Sequence, residues 1–487
     1  MATEPPASSP RVLVVAPMPP EKAAYALARY SRSPDSIVQS LDWVRRHSAE
    51  KFLDTFYFQY GHASIADLGH CTLCFEGISE LAAIEIEDEQ LWDGQAKSTR
   101  YQDLSGSRAV VPEDLRGTPH EDTYARAARA QLRCYSDSHA ALVASLSDAN
   151  PKPRSMSVAR YRRTINARAF DVARYLLLAG LPTNVGQVTS IRTLEKQMRR
   201  MGVSEYPEVR SIAEDMHSAC GSVPGCSLDA DSPSEPLAPT LAKYADPDTA
   251  REQALGRVAA WARQNFSAAP GEARHDVDLL QPSDTLDEAA STWLYAVTDR
   301  PFRVVLDTVS TWSSARKSEV LEAALQDRNP REDLLRPFHS GYRYVFDIVC
   351  DLGAYRDLHR HRRCQQIRQR FGNASLGHET PEELAHVGLQ PAYERALATL
   401  GESRAEIRSF SESASHYLLP FAARCRSLFK MDFAEAEYIA RVRSGVKGHP
   451  SYRKVAWEMR QRICEVEPEL GRLIEATHPS VQDTLKR

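Results

Sequence analysis

The chain has 487 residues, too many for one hydrophobic core, so two or three domains are expected. Its 42% hydrophobic and 26% charged residues suit a globular protein, and a formal net charge of -4 argues against holding long nucleic acids by an overall field. No run approaches the roughly 18 apolar residues that cross a membrane, and Met1 to Pro10 does not read as a secretory signal. Nine scattered cysteines fit a reducing cytoplasm better than a disulfide framework. Cys71 and Cys74 form a C-x-x-C, but they sit in an alternating stretch that reads as a strand, so buried structural thiols are expected and no metal site.

Residues 1–10 read as a disordered tail, followed by a short apolar strand at Arg11 to Ala16 and a helix from Glu21 to Arg46. Helical spacing returns at Tyr124 to Leu146, Asn166 to Ala179 and Ser190 to Met201. Between about Cys226 and Thr285 the composition shifts to Pro, Ser, Asp and Ala, broken by one helix at Thr249 to Phe266, which reads as a connection. Helices are expected again at Leu286 to Val297, Ala392 to Leu400, Glu402 to Phe429 and Ala434 to Val442. The result is an α+β chain of two mostly helical units, at 11–225 and 286–487, joined by a linker at 226–285.

The two units share an order of motifs, the mark of an internal repeat. Leu73-Cys74-Phe75-Glu76 precedes a helix-compatible stretch and then Ser98-Thr99-Arg100-Tyr101; Tyr344-Val345-Phe346-Asp347 precedes a similar stretch and then Arg360-His361-Arg362. Ala173-Arg174-Tyr175-Leu176-Leu177 is echoed by Ser415-His416-Tyr417-Leu418-Leu419, and the segment from Tyr206 to Met216 by that from His449 to Met459.

Arg356-Asp357-Leu358-His359-Arg360-His361-Arg362-Arg363 is the densest cationic run, either a solvated basic face or a grip on phosphate oxygens. His359 and His361, two apart, point away from each other on a helix and do not suggest a metal site. Gly61 permits a turn at His62, and the small residues around Ser64 allow close backbone approach to a planar ligand. Ser98-Thr99-Arg100-Tyr101 offers hydroxyl and guanidinium donors suited to a nucleotide phosphate or a uracil-like ring.

In this order the motifs resemble the flavin-dependent thymidylate synthases, and the chain looks like a tandem fusion of two such repeats. The resemblance implies an α+β fold of two thymidylate-synthase-complementing-type repeats, each a small antiparallel sheet with several long helices. It implies FAD as cofactor, methylenetetrahydrofolate and NADPH as co-substrates, dUMP as the methyl acceptor, and a homodimer that imitates the family's tetramer. The first repeat matches Gly-His-x-Ser at Gly61, His62 and Ser64, the substrate loop at Ser98, Arg100 and Tyr101, and Asn-x-Arg at Arg192. It lacks Arg-His-Arg, having Asp88-Glu89-Gln90-Leu91 there. The second repeat has Arg360, His361 and Arg362, with Arg443 and His449 downstream, but offers Arg368-Gln369-Arg370-Phe371 in place of the substrate loop.

Because the family builds each site from different subunits, a fused chain need keep only half of them. The resemblance assigns Arg360, His361 and Arg362 to flavin and phosphate, His62 and Ser64 to the flavin and folate face, and Arg192 and His449 to the cofactor. Ser98, Thr99, Arg100, Tyr101, Arg360, His416 and Arg443 fall to the nucleotide, with Ser98, Arg100 and Arg443 closest to the chemistry. Three departures, Ala96, Asp357 and His416, leave room for a flavoenzyme acting on another pyrimidine or small heterocycle, or for a non-catalytic nucleotide-binding scaffold.

Overall fold

A computed structural model of the chain describes residues 18–31, 37–47, 63–223, 236, 245–267, 275–326, 334–371 and 376–486. The expected tail at 1–10, the strand expected at Arg11 to Ala16 and the site residue His62 lie outside the described residues. The chain divides into two compact units, one of Met1–Thr72, Val188–Met198 and Glu214–Ala245, the other of Leu73–Gln187, Arg199–Ala213 and Asp246–Arg487.

In the first unit the helix expected from Glu21 to Arg46 is two helices, α1 (Pro20–Tyr30) and α2 (Ile37–Arg46). α1 ends at Tyr30, where Ser31 is the C-cap and its hydroxyl donates to Ala28 O at 2.9 Å. The pair packs Tyr25 and Ala26 against Val44, with Trp43 Nε1 donating to the Tyr25 hydroxyl at 2.9 Å.

Two small antiparallel sheets order the rest, so the architecture is α+β as expected. The first repeat runs β1 (His70–Ser79), α3 (Glu80–Glu87), β2 (Trp92–Ala96), α4 (Pro119–Ala149), α5 (Val158–Ala173), β3 (Pro182–Ser190), α6 (Ile191–Met201) and α7 (Pro207–Cys220), with strand order β1-β3-β2. In β1, Cys71 is buried and Cys74 exposed, because residues three apart in a strand face opposite sides.

The segment expected as a linker supplies α8 (Thr249–Asn265) and also β4 (Val277–Leu280), an edge strand hidden by its Pro- and Asp-rich surroundings. α8 packs with α9 (Thr285–Val297), α10 (Phe302–Ser310) and α11 (Ser314–Leu325) around Trp293, Val258, Val305 and Val320. The second repeat then runs β5 (Tyr344–Asp351), α12 (Leu352–His359), β6 (Gln365–Arg368), α13 (Glu382–His386), α14 (Gln390–Phe410), α15 (Glu412–His416), β7 (Arg424–Met431), α16 (Phe433–Ser444) and α17 (Pro450–Val466). Its sheet has the order β4-β5-β7-β6, so β5-β7-β6 repeats β1-β3-β2.

Two sequence expectations need correction. The helix expected from Glu402 to Phe429 stops at Phe410, and Arg424–Met431 is a strand. Seven consecutive residues of β7, like all of β5, are buried, so the two-residue alternation that betrays a strand is missing. The helix expected from Asn166 to Ala179 ends at Ala173, and Arg174–Leu176 is a 3-10 turn.

The two repeats meet along a backbone seam. Leu178 and Pro420 bridge antiparallel, with Ala179 N–H donating to Leu419 O at 2.9 Å and Phe421 N–H to Leu177 O at 2.7 Å. The next pair is equally reciprocal: Gly180 N–H to Tyr417 O at 2.8 Å and Ala422 N–H to Tyr175 O at 3.0 Å. Each side of the seam continues into a capped helix. Glu80 and Leu81 donate to Leu181 and Ala179, as Leu352 and Gly353 donate to Ala423 and Phe421. The side chains of Ser79 and Asp351 then cap α3 and α12 by accepting from Ala82 N and Ala354 N. This is an internal two-fold, built from the chain's own duplicated motifs. None of the helices in the described residues is long and apolar enough to cross a membrane.

Beneath the second sheet Lys430 is fully buried, with Nζ 2.7 Å from Glu288 Oε1 and 2.7 Å from the Thr292 hydroxyl. Glu288 Oε2 also accepts from Gly341 N at 2.7 Å, which ties β7 to α9 and the approach to β5. Removing only the cation strands a buried carboxylate, so Lys430→Ala should cost about 3–5 kcal/mol by chemical denaturation, and Lys430→Met/Glu288→Leu together much less. Equal losses in the single and double variants would contradict this account.

Candidate functional site

The candidate cluster lies in the second unit. The turn after β2 is tightened by Ser98, whose hydroxyl accepts from Arg100 N at 3.2 Å. Arg100 is thereby aimed at α5, where it meets Asp171 in a two-pronged pair, Nε to Oδ1 at 2.6 Å and Nη2 to Oδ2 at 3.2 Å. Its remaining donors cross to the second repeat, Nη1 to the Tyr452 hydroxyl at 2.8 Å and Nη2 to Lys447 O at 3.1 Å.

Asp171 is oriented from behind. His449, at the N-cap of α17, accepts from Ser451 N at Nδ1, which leaves Nε2 as the protonated nitrogen that donates to Asp171 O at 2.7 Å. Burial, then the nearby Arg174 and Arg100, hold this imidazole well below its ordinary pKa, so it is neutral.

The second repeat brings the end of α12 to the same place. Asp357 accepts from Arg174 Nη1 at 3.1 Å. Burial alone would raise the Asp357 pKa, but Arg174, Arg100, Arg443 and Arg356 together carry it below the usual range and keep it ionised. One turn on, Arg443 Nε donates to His361 Nε2 at 2.7 Å. An arginine has no acceptor to offer, so His361 must carry its proton on Nδ1, which faces Glu435 Oε1 at 3.5 Å. Burial, with Arg443 and Arg362 beside it, lowers the His361 pKa and leaves it neutral. Arg443 and Arg100 also share the Tyr452 ring, with guanidinium carbons 5.6 and 5.7 Å from its centroid.

Two arginines complete the cluster differently. Arg362 lies over the Trp92 ring at 4.8 Å and donates to Asp93 at 2.5 Å. Arg360 caps α12 and is half-buried; its guanidinium has no hydrogen bond or ion pair among the described residues, although its charge acts on the buried Glu80 carboxylate. Of the guanidiniums gathered here Arg100 and Arg174 are ion-paired with Asp171 and Asp357, whereas Arg443 meets the neutral His361 and, like Arg360, has no ion pair among the described residues.

The structure therefore gathers Ser98, Arg100, Arg360, His361, Arg362, Arg443 and His449 from the two repeats. Thr99 is buried behind the turn, and the Tyr101 side chain is largely exposed. His449 is fully buried, so it acts through Asp171 instead of touching a bound molecule. His416 is not in the cluster: its Nδ1 meets the Tyr206 hydroxyl at 2.9 Å and its ring lies edge-on to Phe371. Arg192 belongs to the first unit, where it pairs with Asp67 at 3.0 Å. Ser64 lies there too, in the 3-10 helix Ala63–Leu68.

Sequence reading missed Asp171 and Tyr452 as members of the site. The spacing of Asp171 and Arg174, three apart at the end of one helix, was the available signal, since such residues share a face. Among the described residues no three His, Cys, Asp or Glu side chains converge as a metal site would require.

The family model described as thymidylate synthase complementing protein matches residues 13–223 and 321–469, more than half of the chain. The chain belongs to that family. It is 25% identical over 447 residues to a UPF0159 protein of Chlamydia muridarum, covering 89% of this chain and 80% of that protein. It is 24% identical to a UPF0159 protein of Thermoplasma acidophilum, covering 92% of this chain and 93% of that protein. Among solved structures, a flavin-dependent thymidylate synthase ThyX from Helicobacter pylori complexed with FAD and dUMP matches with a TM-score of 0.25 at 15% identity, over 42% of this chain and 89% of that chain.

The displaced His416 generates a pH prediction. Burial, then Arg404, Arg368 and Arg370, push its pKa down to about 3, against about 6.5 in an unfolded chain. The folded form binds fewer protons, so this contribution is complete above about pH 6.5 and is lost as pH falls towards the folded value. The slope is about 1.4 kcal/mol per pH unit in that window. His416→Asn, which can still meet Tyr206, should flatten the fall in stability measured by denaturation between about pH 7 and about pH 5. An unchanged slope would mean that His416 is not neutral in the fold.

Proposed function

We propose that the chain is a flavin-dependent thymidylate synthase that converts dUMP to dTMP with methylenetetrahydrofolate and NADPH, using FAD, at the composite cluster around Arg360. The observation that carries this reading is a place assembled from both repeats where two guanidiniums, Arg360 and Arg443, have no ion pair among the described residues, a local excess of positive charge. A nucleotide 5′-phosphate bears close to two negative charges near neutral pH, so it matches that excess. Membership of the thymidylate synthase complementing family supplies the reaction class.

In this reading Arg100 holds the nucleotide while Asp171 fixes its guanidinium plane, and buried Arg174 keeps Asp357 in place. Ser98, Thr99 and Tyr101 shape the substrate turn. Arg443, held in place by neutral His361, would stabilise negative charge that develops on the pyrimidine carbonyl. Arg360 and Arg362 meet phosphate groups of the nucleotide and the dinucleotide cofactor. Bound FAD would supply hydride, and NADPH the electrons that reduce it. His62, Ser64 and Arg192 are assigned to the flavin and folate side, and His449 to positioning of Asp171.

Two chains would assemble to imitate the family's tetramer. The eight cysteines among the described residues are unpaired, which suits a reducing cytoplasm. A second reading, a flavoenzyme acting on a different pyrimidine, is favoured by one observation: Asp357, one of the three departures from the family's pattern, is ion-paired with Arg174 at 3.1 Å.

Purified protein should be yellow and should form dTMP from dUMP, methylenetetrahydrofolate and NADPH. Bound FAD without dTMP formation would favour the second reading, and absence of any flavin would defeat both. Arg360→Ala should weaken dUMP binding by about tenfold or more, the worth of one charge-assisted hydrogen bond, yet leave thermal stability unchanged because the guanidinium has no internal hydrogen bond or ion pair. Arg362→Ala should instead deplete FAD. Undiminished dUMP affinity in the first variant, or full FAD content in the second, would show these roles to be misassigned.

A further inference from the structure

The internal two-fold that builds the cluster around Arg360 also defines a counterpart place, where the roles of the repeats are exchanged. Asp88 caps α3 as Arg360 caps α12. Three residues earlier, Glu85 stands where Asp357 stands. Arg200 and Arg443 are each the last residue but one of their helices, α6 and α16. Tyr206 and His449 each precede the proline that opens α7 and α17. Arg368 ends β6 as Ala96 ends β2, which sets Arg370 opposite Ser98, and His416 stands opposite Arg174.

The chemistry at this counterpart is inverted. The Arg360 cation of the first place is replaced by Asp88, whose Oδ1 lies 2.5 Å from Arg336 Nη1 and whose backbone oxygen accepts from Arg336 Nη2 at 2.9 Å. Arg200 is buried against Glu89 at 2.9 Å, Glu85 at 3.6 Å and Asp88 at 3.9 Å. Arg368 pairs with Glu85 at 2.9 Å and lies over the Phe371 ring at 4.0 Å. Arg200, Arg336 and Arg368 are thus each paired with a carboxylate, Arg251 faces the same Asp88 and Glu85, and the position equivalent to Arg174 is held by a neutral His416 bonded to Tyr206. A phosphate entering here would meet Asp88 and Glu85 and would have to break pairs already made, at a large desolvation cost.

We infer that the counterpart place has become an ion-pair lock between the repeats, joining Asp88 and Glu85 of the first to Arg336 and Arg368 of the second, and that each chain holds one nucleotide. The stoichiometry rests on the nucleotide reading above; the lock does not. Calorimetric titration of the flavin-loaded protein with dUMP should give one site per chain, and two sites would overturn the inference. Independently, Glu85→Gln and Arg368→Gln should each lower the melting temperature by several degrees. The double variant should lose clearly less than the two losses combined, while the turnover number and KM for dUMP stay within about twofold of the parent. Additive losses, or a dUMP-dependent rise in melting temperature that Glu85→Gln or Arg368→Gln abolishes, would refute the lock. If dUMP does not bind at all, the nucleotide reading fails by itself, and the thermal cycle alone decides between lock and no lock.

Discussion

The reciprocal hydrogen bonds around Leu178 and Pro420 are the constraint on which the rest depends. Four backbone bonds between buried segments fix one repeat against the other with no freedom of register. Because the same segments receive the first amides of α3 and α12, the seam also sets where those helices end. One end presents Arg360 and the other Asp88. The position of the functional cluster is therefore a consequence of backbone pairing, and its character a consequence of which side chain the duplicated helix carries at its last turn.

Burial gives these charges their weight. Guanidiniums keep their charge at any working pH, whereas imidazoles surrendered to a buried, arginine-rich setting become neutral. His361 and His449 both follow this rule, and in each the partner fixes which nitrogen bears the proton. Each then serves as a fixed hydrogen-bonding group that holds Arg443 or Asp171 in position. Asp357 shows the opposite outcome. Its burial is overcome by four arginines, so it remains an anion and tempers the positive excess without cancelling it.

Part of this was legible in the sequence. The duplicated order of motifs and the complementary losses at Asp88 and at Arg368 to Phe371 were readable, because they depend on residue type and order. The strand β7 was not, since burial on both faces removes alternation and leaves an apolar run that a helix could equally carry. Asp171 and Tyr452 were missed because their role exists only once α5 and α17 are brought together across the seam. His416 was placed by its position in the repeat, which is correct for its backbone. Sequence order could not show that a two-fold sends equivalent positions of the two repeats to opposite places.

That last point explains why the losses are complementary instead of random. Across a two-fold, each place takes its substrate-loop arginine from one repeat and its helix-end arginine from the other. Once one place accumulates acids, the residues it drew from both repeats are released together: Asp88 and Glu85 in the first, and the turn at Arg368 to Phe371 in the second. Stability then selects for pairs among what remains, as at Glu85 and Arg368. In the retained place the same pressure is opposed, and Arg360 is left without an ion pair among the described residues. A guanidinium at a half-buried helix end gains only a small helix-dipole contribution from folding, which leaves it free to meet the phosphate proposed to bind there.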